Sequence, residues 1–184
     1  MPTLRTSALD RIYARSLLAL AQESGQLDAI EAQCVELSRW LNEHPQAMSL
    51  LSNQMLGVAE RAGTVERLFR GRVSDLLLRF LLVMNRKGRL DRLQGVLDAF
   101  GHELLAIRGI VEVEAHVATP LDPSQAQAVA QRLSATLGRE VLLHQKLDPE
   151  LIGGIKLRIG DRLVDGSVAA QLRQLRNRLS KVRG

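Results

Sequence analysis

The run Gly109-Ile110-Val111-Glu112-Val113-Glu114-Ala115-His116-Val117 marks a change of period in this chain of 184 residues. From Ile110 onward, apolar and polar residues alternate, which is typical of a half-buried β-strand. Before this run, apolar residues recur every three or four positions, as they do on one face of a helix. The sequence therefore predicts a mainly α protein, with an N-terminal six-helix bundle over residues 1–108 and a small α+β domain over residues 109–184.

Six helices are predicted in the first part, because glycine, proline and capping residues interrupt its periodic apolar stretches. They run from about Leu9 to Gly25, Leu27 to His44, Ala47 to Leu51, Val58 to Phe69, Ser74 to Gly88 and Leu90 to Ile107. The first helix has an apolar face that is wider than a single neighbouring helix requires. The fifth is apolar almost all the way round from Leu76 to Met84, so it must be surrounded by its own domain or by a partner.

The second part predicts three further strands and two helices. A helix follows Pro123 and ends at Gly138, and the strands occupy 141–147, 154–159 and 162–164. Asp165-Gly166-Ser167 is predicted to turn the chain into a final helix. That helix carries an apolar seam of residues three and four apart, made by Leu172, Leu175, Leu179 and Val182.

The charge of the chain favours acidic partners. Lys and Arg number 25 against 20 Asp and Glu, which gives a net charge of +5. A nucleic-acid-binding module is therefore the alternative class, with the arginines of the last helix placed on phosphates. However, no aromatic stacking residues lie near the basic clusters, and no zinc-finger or RNP-type motif is present. The same arginines also suit the negative C-terminal end of that helix.

Motifs that carry catalysis, metal binding or nucleotide binding are not found. The four histidines lie far apart with no second ligand at helical spacing, and Cys34 is the single cysteine. Gly153-Gly154 lacks the lysine and hydroxyl of a phosphate-binding loop. The longest apolar stretch falls far short of the roughly 20 residues that span a bilayer. We therefore expect no enzyme activity, no cofactor, no metal, no signal peptide and no membrane insertion.

The block from Asp148 to Val168, with the sequence DPELIGGIKLRIGDRLVDGSV, resembles the C-terminal signature of the ATP synthase delta subunit family. The mitochondrial counterpart in that family is the oligomycin-sensitivity-conferring protein. Tyr13-Ala14, the Asn85–Leu90 run and the Val-Glu-Val strand at 111–113 agree in order with the same family. One departure is Ala169-Ala170-Gln171, where many relatives have Arg-Gly-Arg.

This resemblance implies a non-catalytic stator subunit in the peripheral stalk of a bacterial F-type ATP synthase, on the cytoplasmic side of the inner membrane. The N-terminal domain would cap the catalytic head, and the C-terminal domain would meet the b subunits of the stalk. The subunit would thus hold the head against the torque of the rotor during proton-driven ATP synthesis. Nucleic acid is not among the partners that the family implies.

The resemblance also implies that the N-terminal segment of an alpha subunit lies as a helix in a groove between the first and fifth helices. Those helices carry surplus apolar surface, and we expect the contact residues to be Leu9, Tyr13, Leu17, Leu76, Phe80 and Met84. Tyr13 and Phe80 are the expected central anchors, although both residues equally suit the core of the bundle. For the b subunits, we expect contacts from Leu172, Leu175 and Leu179.

Overall fold

A computed structural model describes residues 7–53, 55–160, 162–168 and 170. Within these ranges the protein is mainly helical, with seven α-helices, one short 3-10 helix and a four-stranded sheet. The chain divides into two compact units, Met1–Leu104 and Leu105–Gly184, and the division falls inside a helix. The predicted combination of helices followed by a small sheet is confirmed.

The helices before the sheet have the following bounds: α1 Ala8–Glu23, α2 Leu27–Glu43, α3 Pro45–Leu51, α4 Val58–Phe69, α5 Asp75–Arg86 and α6 Leu93–Ile107. A 3-10 helix at Leu90–Arg92 leads into α6. Two starts differ from the prediction. Proline is accepted in the first turn of a helix, so α3 begins at Pro45 rather than at Ala47. The residues Leu90–Arg92, which were expected to open the sixth helix, form the 3-10 helix instead.

Side-chain caps set the start of two of these helices. Ser7 and Asp10 form a capping box at the start of α1, in which Ser7 Oγ accepts from the Asp10 amide and Asp10 Oδ2 accepts from the Ser7 amide. Ser74 caps α5 as predicted, accepting from the amide of Leu77. Gly88 follows α5 with φ +66°, a conformation that favours glycine.

The core of the helical unit lies between α1, α2, α5 and α6. From α5 it contains Leu77, Leu81 and Met84, all fully buried. The facing residues come from α1 (Ala14, Leu17, Leu18, Ala21), α2 (Ile30, Cys34, Leu37, Leu41) and α6 (Leu93, Val96, Leu97, Phe100). Arg79 and Val83, on the opposite side of α5, remain exposed, so the helix is surrounded on most but not all of its circumference.

The second unit contains a four-stranded sheet in the order β2-β1-β3-β4. Its elements are β1 Val111–Val117, α7 Pro123–Leu137, β2 Val141–Leu147, β3 Gly154–Ile159 and β4 Arg162–Ser167. β1 and β2 are parallel and are joined through α7, whereas β3 is antiparallel to both β1 and β4. The predicted bounds of the first three strands are confirmed to within one residue.

The last strand is longer than predicted, and the expected turn at Asp165-Gly166-Ser167 is wrong. These residues continue β4 and pair with Lys156, Ile155 and Gly154 of β3. Glycines make this close pairing possible, since a Cβ at Gly154 would lie 2.6 Å from the carbonyl oxygen of Gly166. Val168 and Ala170 are helical, in agreement with the predicted start of the final helix, and the rest of that helix lies outside the described residues.

None of the helices in the described ranges is both long enough and apolar enough to cross a membrane.

Candidate functional site

A long open groove lies between α1 and α5 and has a volume of about 870 Å³. One wall comes from α1 and the turn after it, and the other from the start and middle of α5. The lining residues are Tyr13, Ser16, Leu20, Glu23, Ser24, Gln26, Ser74, Asp75, Leu76, Arg79, Phe80 and Val83. The groove is much larger than the cavities beside Arg61 and Trp40, at about 330 and 280 Å³.

Helical spacing explains the two walls. On α1 the apolar residues Tyr13 and Leu20 are seven apart, and on α5 Leu76, Phe80 and Val83 are four and three apart. Residues at these spacings lie in one stripe along a helix. The end of α1 (Glu23) and the start of α5 (Asp75) both line this groove.

Aromatic side chains join the two walls. The rings of Tyr13 and Phe80 lie 6.4 Å apart at 75°, an edge-to-face contact. Phe80 is only 6% exposed and belongs to the core, while Tyr13 is half-buried and packs against that core. The pair therefore connects the two walls, and Tyr13 has the larger exposed surface of the two.

The structure places only some of the expected contact residues in the groove. Leu76 lines the groove together with Tyr13 and Phe80. Leu17 and Met84 are both 0% exposed, so the surplus apolar surface assigned to them from the sequence is wrong, and their side chains belong to the core. Leu9 is partly buried and does not line the groove. Leu172, Leu175 and Leu179 lie outside the described residues.

Two apolar groove residues, Leu20 and Val83, were missed by the sequence-based expectation, as were the polar residues of the lining. Leu20 and Val83 are 47% and 45% exposed, respectively. Their spacing of seven residues from Tyr13 and from Leu76 is the signal that identifies them, since it places each pair on one stripe.

Comparison with known proteins identifies the family. The model of the family described as "ATP synthase delta (OSCP) subunit" matches residues 9–179. The chain belongs to this family. It is 35% identical to the ATP synthase subunit delta of Chlorobium luteolum over 170 residues, covering 92% of this chain and 94% of that protein. It is 34% identical to the ATP synthase subunit delta of Symbiobacterium thermophilum, covering 94% and 92%.

A solved structure supports the same fold. The chain is similar to one chain in the cryo-EM structure of the Toxoplasma gondii mitochondrial ATP synthase hexamer, with a TM-score of 0.66. The match covers 94% of this chain and 98% of that one at 19% sequence identity. At this identity the likeness concerns the fold alone, and it extends over both units of the delta-family chain.

In the cavity of about 330 Å³ beside Arg61, the Arg61 side chain holds a loop in place. The guanidinium donates from Nε to Asn85 Oδ1 at 3.1 Å and from Nη1 to the carbonyl oxygens of Asn53 and Leu56 at 2.8 and 3.0 Å. Asn85 in turn donates to the carbonyl oxygen of Val58 at 2.8 Å. These bonds fasten the connection between α3 and α4 to α5, so most of the polar groups here are already paired.

In the part of this delta-family chain that the structure describes, the titrating groups do not converge on a reactive centre. Burial, aided by the negative charge of Glu31, raises the pKa of Cys34 to about 12, so the thiol stays protonated at neutral pH. His144 contacts Glu112 at 3.1 Å, and His116 contacts Glu114 at 3.5 Å. Over the described ranges, no three His, Cys, Asp or Glu side chains come together in a way that could hold a metal ion.

Proposed function

We propose that this chain is a non-catalytic peripheral-stalk subunit of an F-type ATP synthase. It links the catalytic head to the membrane sector through the b subunits and holds the head against rotor torque during proton-driven ATP synthesis. It lies on the cytoplasmic side of the bacterial inner membrane as a peripheral component. Membership of the delta (OSCP) family over residues 9–179 supports this proposal.

In this proposal residues 1–108 act as a six-helix bundle that binds the N-terminal segment of an alpha subunit. The observation that carries it is the groove between α1 and α5, where an apolar floor is bordered by polar side chains. An amphipathic helix binds such a groove by inserting side chains from one face between the two walls. Leu20 and Val83 are less than half exposed, so burying each of them contributes about 1 kcal/mol before the entropy of association is subtracted.

The groove assigns different roles to the residues that line it. Leu20, Leu76 and Val83 provide apolar contact surface that a docked helix would cover. Tyr13 is the proposed central anchor, because it combines partial exposure with a fixed ring against Phe80. Phe80 supports Tyr13 from the core and contributes mainly through that contact.

Residues 109–184 are proposed to contact the b subunits. The reason is the sequence of the last helix, in which Leu172, Leu175 and Leu179 form an apolar seam beside basic residues. A chain shortened to end before Leu172 is expected to keep binding the alpha segment but to lose the b subunits. Retention of the b subunits by that shortened chain would remove this part of the proposal.

The direct test is purification of the tagged full-length chain from its own cells, with the bound proteins identified by mass spectrometry. We expect alpha and b subunits of the ATP synthase in amounts comparable to that of the chain. A chain that instead binds random DNA with a steep dependence on salt, and without these subunits, would contradict the proposal.

A further inference from the structure

We propose that the cavity beside Arg61 binds a small monocarboxylate, whose carboxylate group pairs with the Arg61 guanidinium. The cavity has a volume of about 330 Å³ and lies within the helical unit. This inference goes beyond the proposed function, because neither the alpha-subunit segment nor the b subunits take part in it. The residues that line the cavity are Leu51, Ser52, Arg61, Asn85, Gly88, Leu90 and Asp91.

Arg61 is a buried cation whose hydrogen-bond partners are all neutral. The residue is 8% exposed. Its Nε donates to Asn85 Oδ1, and its Nη1 donates to the carbonyl oxygens of Asn53 and Leu56. Over the described ranges, no carboxylate forms an ion pair with this guanidinium. Burying a charge is unfavourable unless an opposite charge compensates it, so this position favours an anionic partner.

N–H groups of Arg61 and Asn85 supply the contacts for such an anion. The hydrogen bonds of Arg61 to the described residues engage Nε and Nη1, which leaves the two N–H groups of Nη2. Asn85 is 1% exposed and donates one N–H of Nδ2 to the carbonyl oxygen of Val58, which leaves the other. Both side chains line the cavity. The two oxygens of one carboxylate can accept from these N–H groups, and a guanidinium forms strong hydrogen bonds with a carboxylate.

The charges around the cavity favour an anion that carries a single charge. Asp91 lines the cavity and is exposed, so it repels a second negative charge on the ligand. It is outnumbered by exposed cations on the same connection between α5 and α6, and two of these also offset the negative end of α5. The positive potential therefore attracts an anion, whereas Asp91 disfavours a dianion such as sulfate. The four cations are Arg86, Lys87, Arg89 and Arg92.

The size of the cavity and its remaining walls fit a short hydrocarbon chain. Leu51 and Leu90 line the cavity beside the polar groups. Small-molecule sites have volumes of roughly 300–1,000 Å³, and this cavity lies at the lower end of that range. A carboxylate on a short apolar chain therefore matches both the polar and the apolar parts of the lining.

Binding is measured with the full-length, isotope-labelled chain in slightly acidic buffer of constant ionic strength. Sodium butyrate replaces sodium chloride stepwise, while the NMR signals of the Arg61 Nε–H group and of the Ser52 and Gly88 backbone amides are followed. We expect saturable shifts of these signals with a dissociation constant on the order of 1–10 mM. Butyramide has the same shape without the charge and should give no saturable shift. Sulfate should bind at least about fivefold more weakly than butyrate.

Three results would overturn the inference. If butyrate gives no saturation, or if butyramide gives the same shifts, Arg61 does not bind a carboxylate. If the saturable shifts centre on residues away from Arg61, the cavity is not the site. If sulfate binds as tightly as butyrate, the ligand is not selected for a single charge. Each of these results leaves the proposed function as it stands.

The role of Asp91 is tested with two variants of equal net charge. Asp91→Asn removes a negative charge at the cavity, and Glu43→Gln removes one from an exposed position on α2 that does not line it. We expect Asp91→Asn to narrow the preference for butyrate over sulfate by about threefold, and Glu43→Gln to leave it nearly unchanged. Equal preferences in the two variants would contradict the selection by Asp91. Arg61 is observed rather than replaced, since its loss would also remove the bonds that hold the loop.

Discussion

Gly95 of α6 lies directly against the carboxylate of Asp10, so close that a Cβ at position 95 would stand 2.9 Å from Asp10 Oδ2. That oxygen accepts the Ser7 amide of the α1 capping box, and Oδ1 lies 3.8 Å from Nη1 of Arg92. The carboxylate is almost fully buried. The start of α1 thus packs against α6 through the contact between Asp10 and Gly95.

Gly95→Ala is expected to disturb this contact. Alanine favours a helix over glycine by about 1 kcal/mol, but here the methyl group displaces Asp10 and weakens the cap. Gly101 provides the control, since it lies in the same helix and nothing comes within 4 Å of its Cβ position. By denaturant unfolding, we expect Gly95→Ala to be less stable than Gly101→Ala by about 1–2 kcal/mol. If Gly95→Ala and Gly101→Ala are equally stable, Asp10 moves aside without weakening the cap of α1.

Arg61→Met is expected to be strongly destabilising. The change leaves Asn85 Oδ1 and two loop carbonyl groups without their donor in a buried setting, at a cost of about 2–4 kcal/mol. Arg70→Met is the matched control, because Arg70 is exposed and its pairing with Glu66 is an i,i+4 surface contact worth about 0.5 kcal/mol or less. Thermal unfolding of both variants tests the difference. If Arg61→Met loses no more stability than Arg70→Met, Arg61 does not hold the loop between α3 and α4 in place.

Much of the fold was predictable because the signals were local. α4 was predicted with its observed bounds, and the Ser74 cap and Gly88 set the limits of α5. The continuation of β4 through Gly166 was not predictable in the same way. Asp-Gly-Ser is a common turn sequence, and only pairing with β3 keeps these residues extended.

The groove was predictable in its place but not in its composition. Periodicity identifies an apolar stripe on a helix, yet it does not tell which edge of a wide stripe neighbouring helices cover. On α1, Leu17 is buried and Leu20 is exposed. On α5, Met84 is buried and Val83 is exposed. The contact between Arg61 and Asn85 joins residues 24 positions apart on two helices, and neither residue carries a local signal for it.

Tyr13→Ala is expected to weaken binding of the alpha-subunit peptide by about tenfold or more, since aromatic anchors in interfaces contribute over 1 kcal/mol. Ile12→Ala is the control, because Ile12 is the neighbouring residue on α1, is 60% exposed and does not line the groove. Isothermal titration calorimetry on the folded variants gives both affinities. If Tyr13→Ala binds as tightly as Ile12→Ala, Tyr13 is not the anchor.

Phe80→Ala should act on stability first. Removing a buried aromatic ring costs about 3–5 kcal/mol, and it also withdraws the edge-to-face support of Tyr13. Phe80→Leu keeps most of the buried volume, so it separates the two effects. We expect Phe80→Leu to fold and to bind the peptide more weakly than the native chain, but more tightly than Tyr13→Ala. Binding at native strength by Phe80→Leu would assign Phe80 to the core alone.

The buried thiol of Cys34 predicts a loss of stability in alkaline solution. Its pKa is raised to about 12 in the folded chain, mainly by burial, against a reference value of 9.0. Above the reference pKa the unfolded chain ionises while the folded chain does not, so stability falls as pH rises from 9 toward 12. Between about pH 8 and about pH 10, the unfolding free energy of the native chain should fall by about 1.4 kcal/mol more than that of Cys34→Ala, which lacks the thiol. Parallel pH profiles for the two proteins would show that the thiol ionises equally in the folded and unfolded chains.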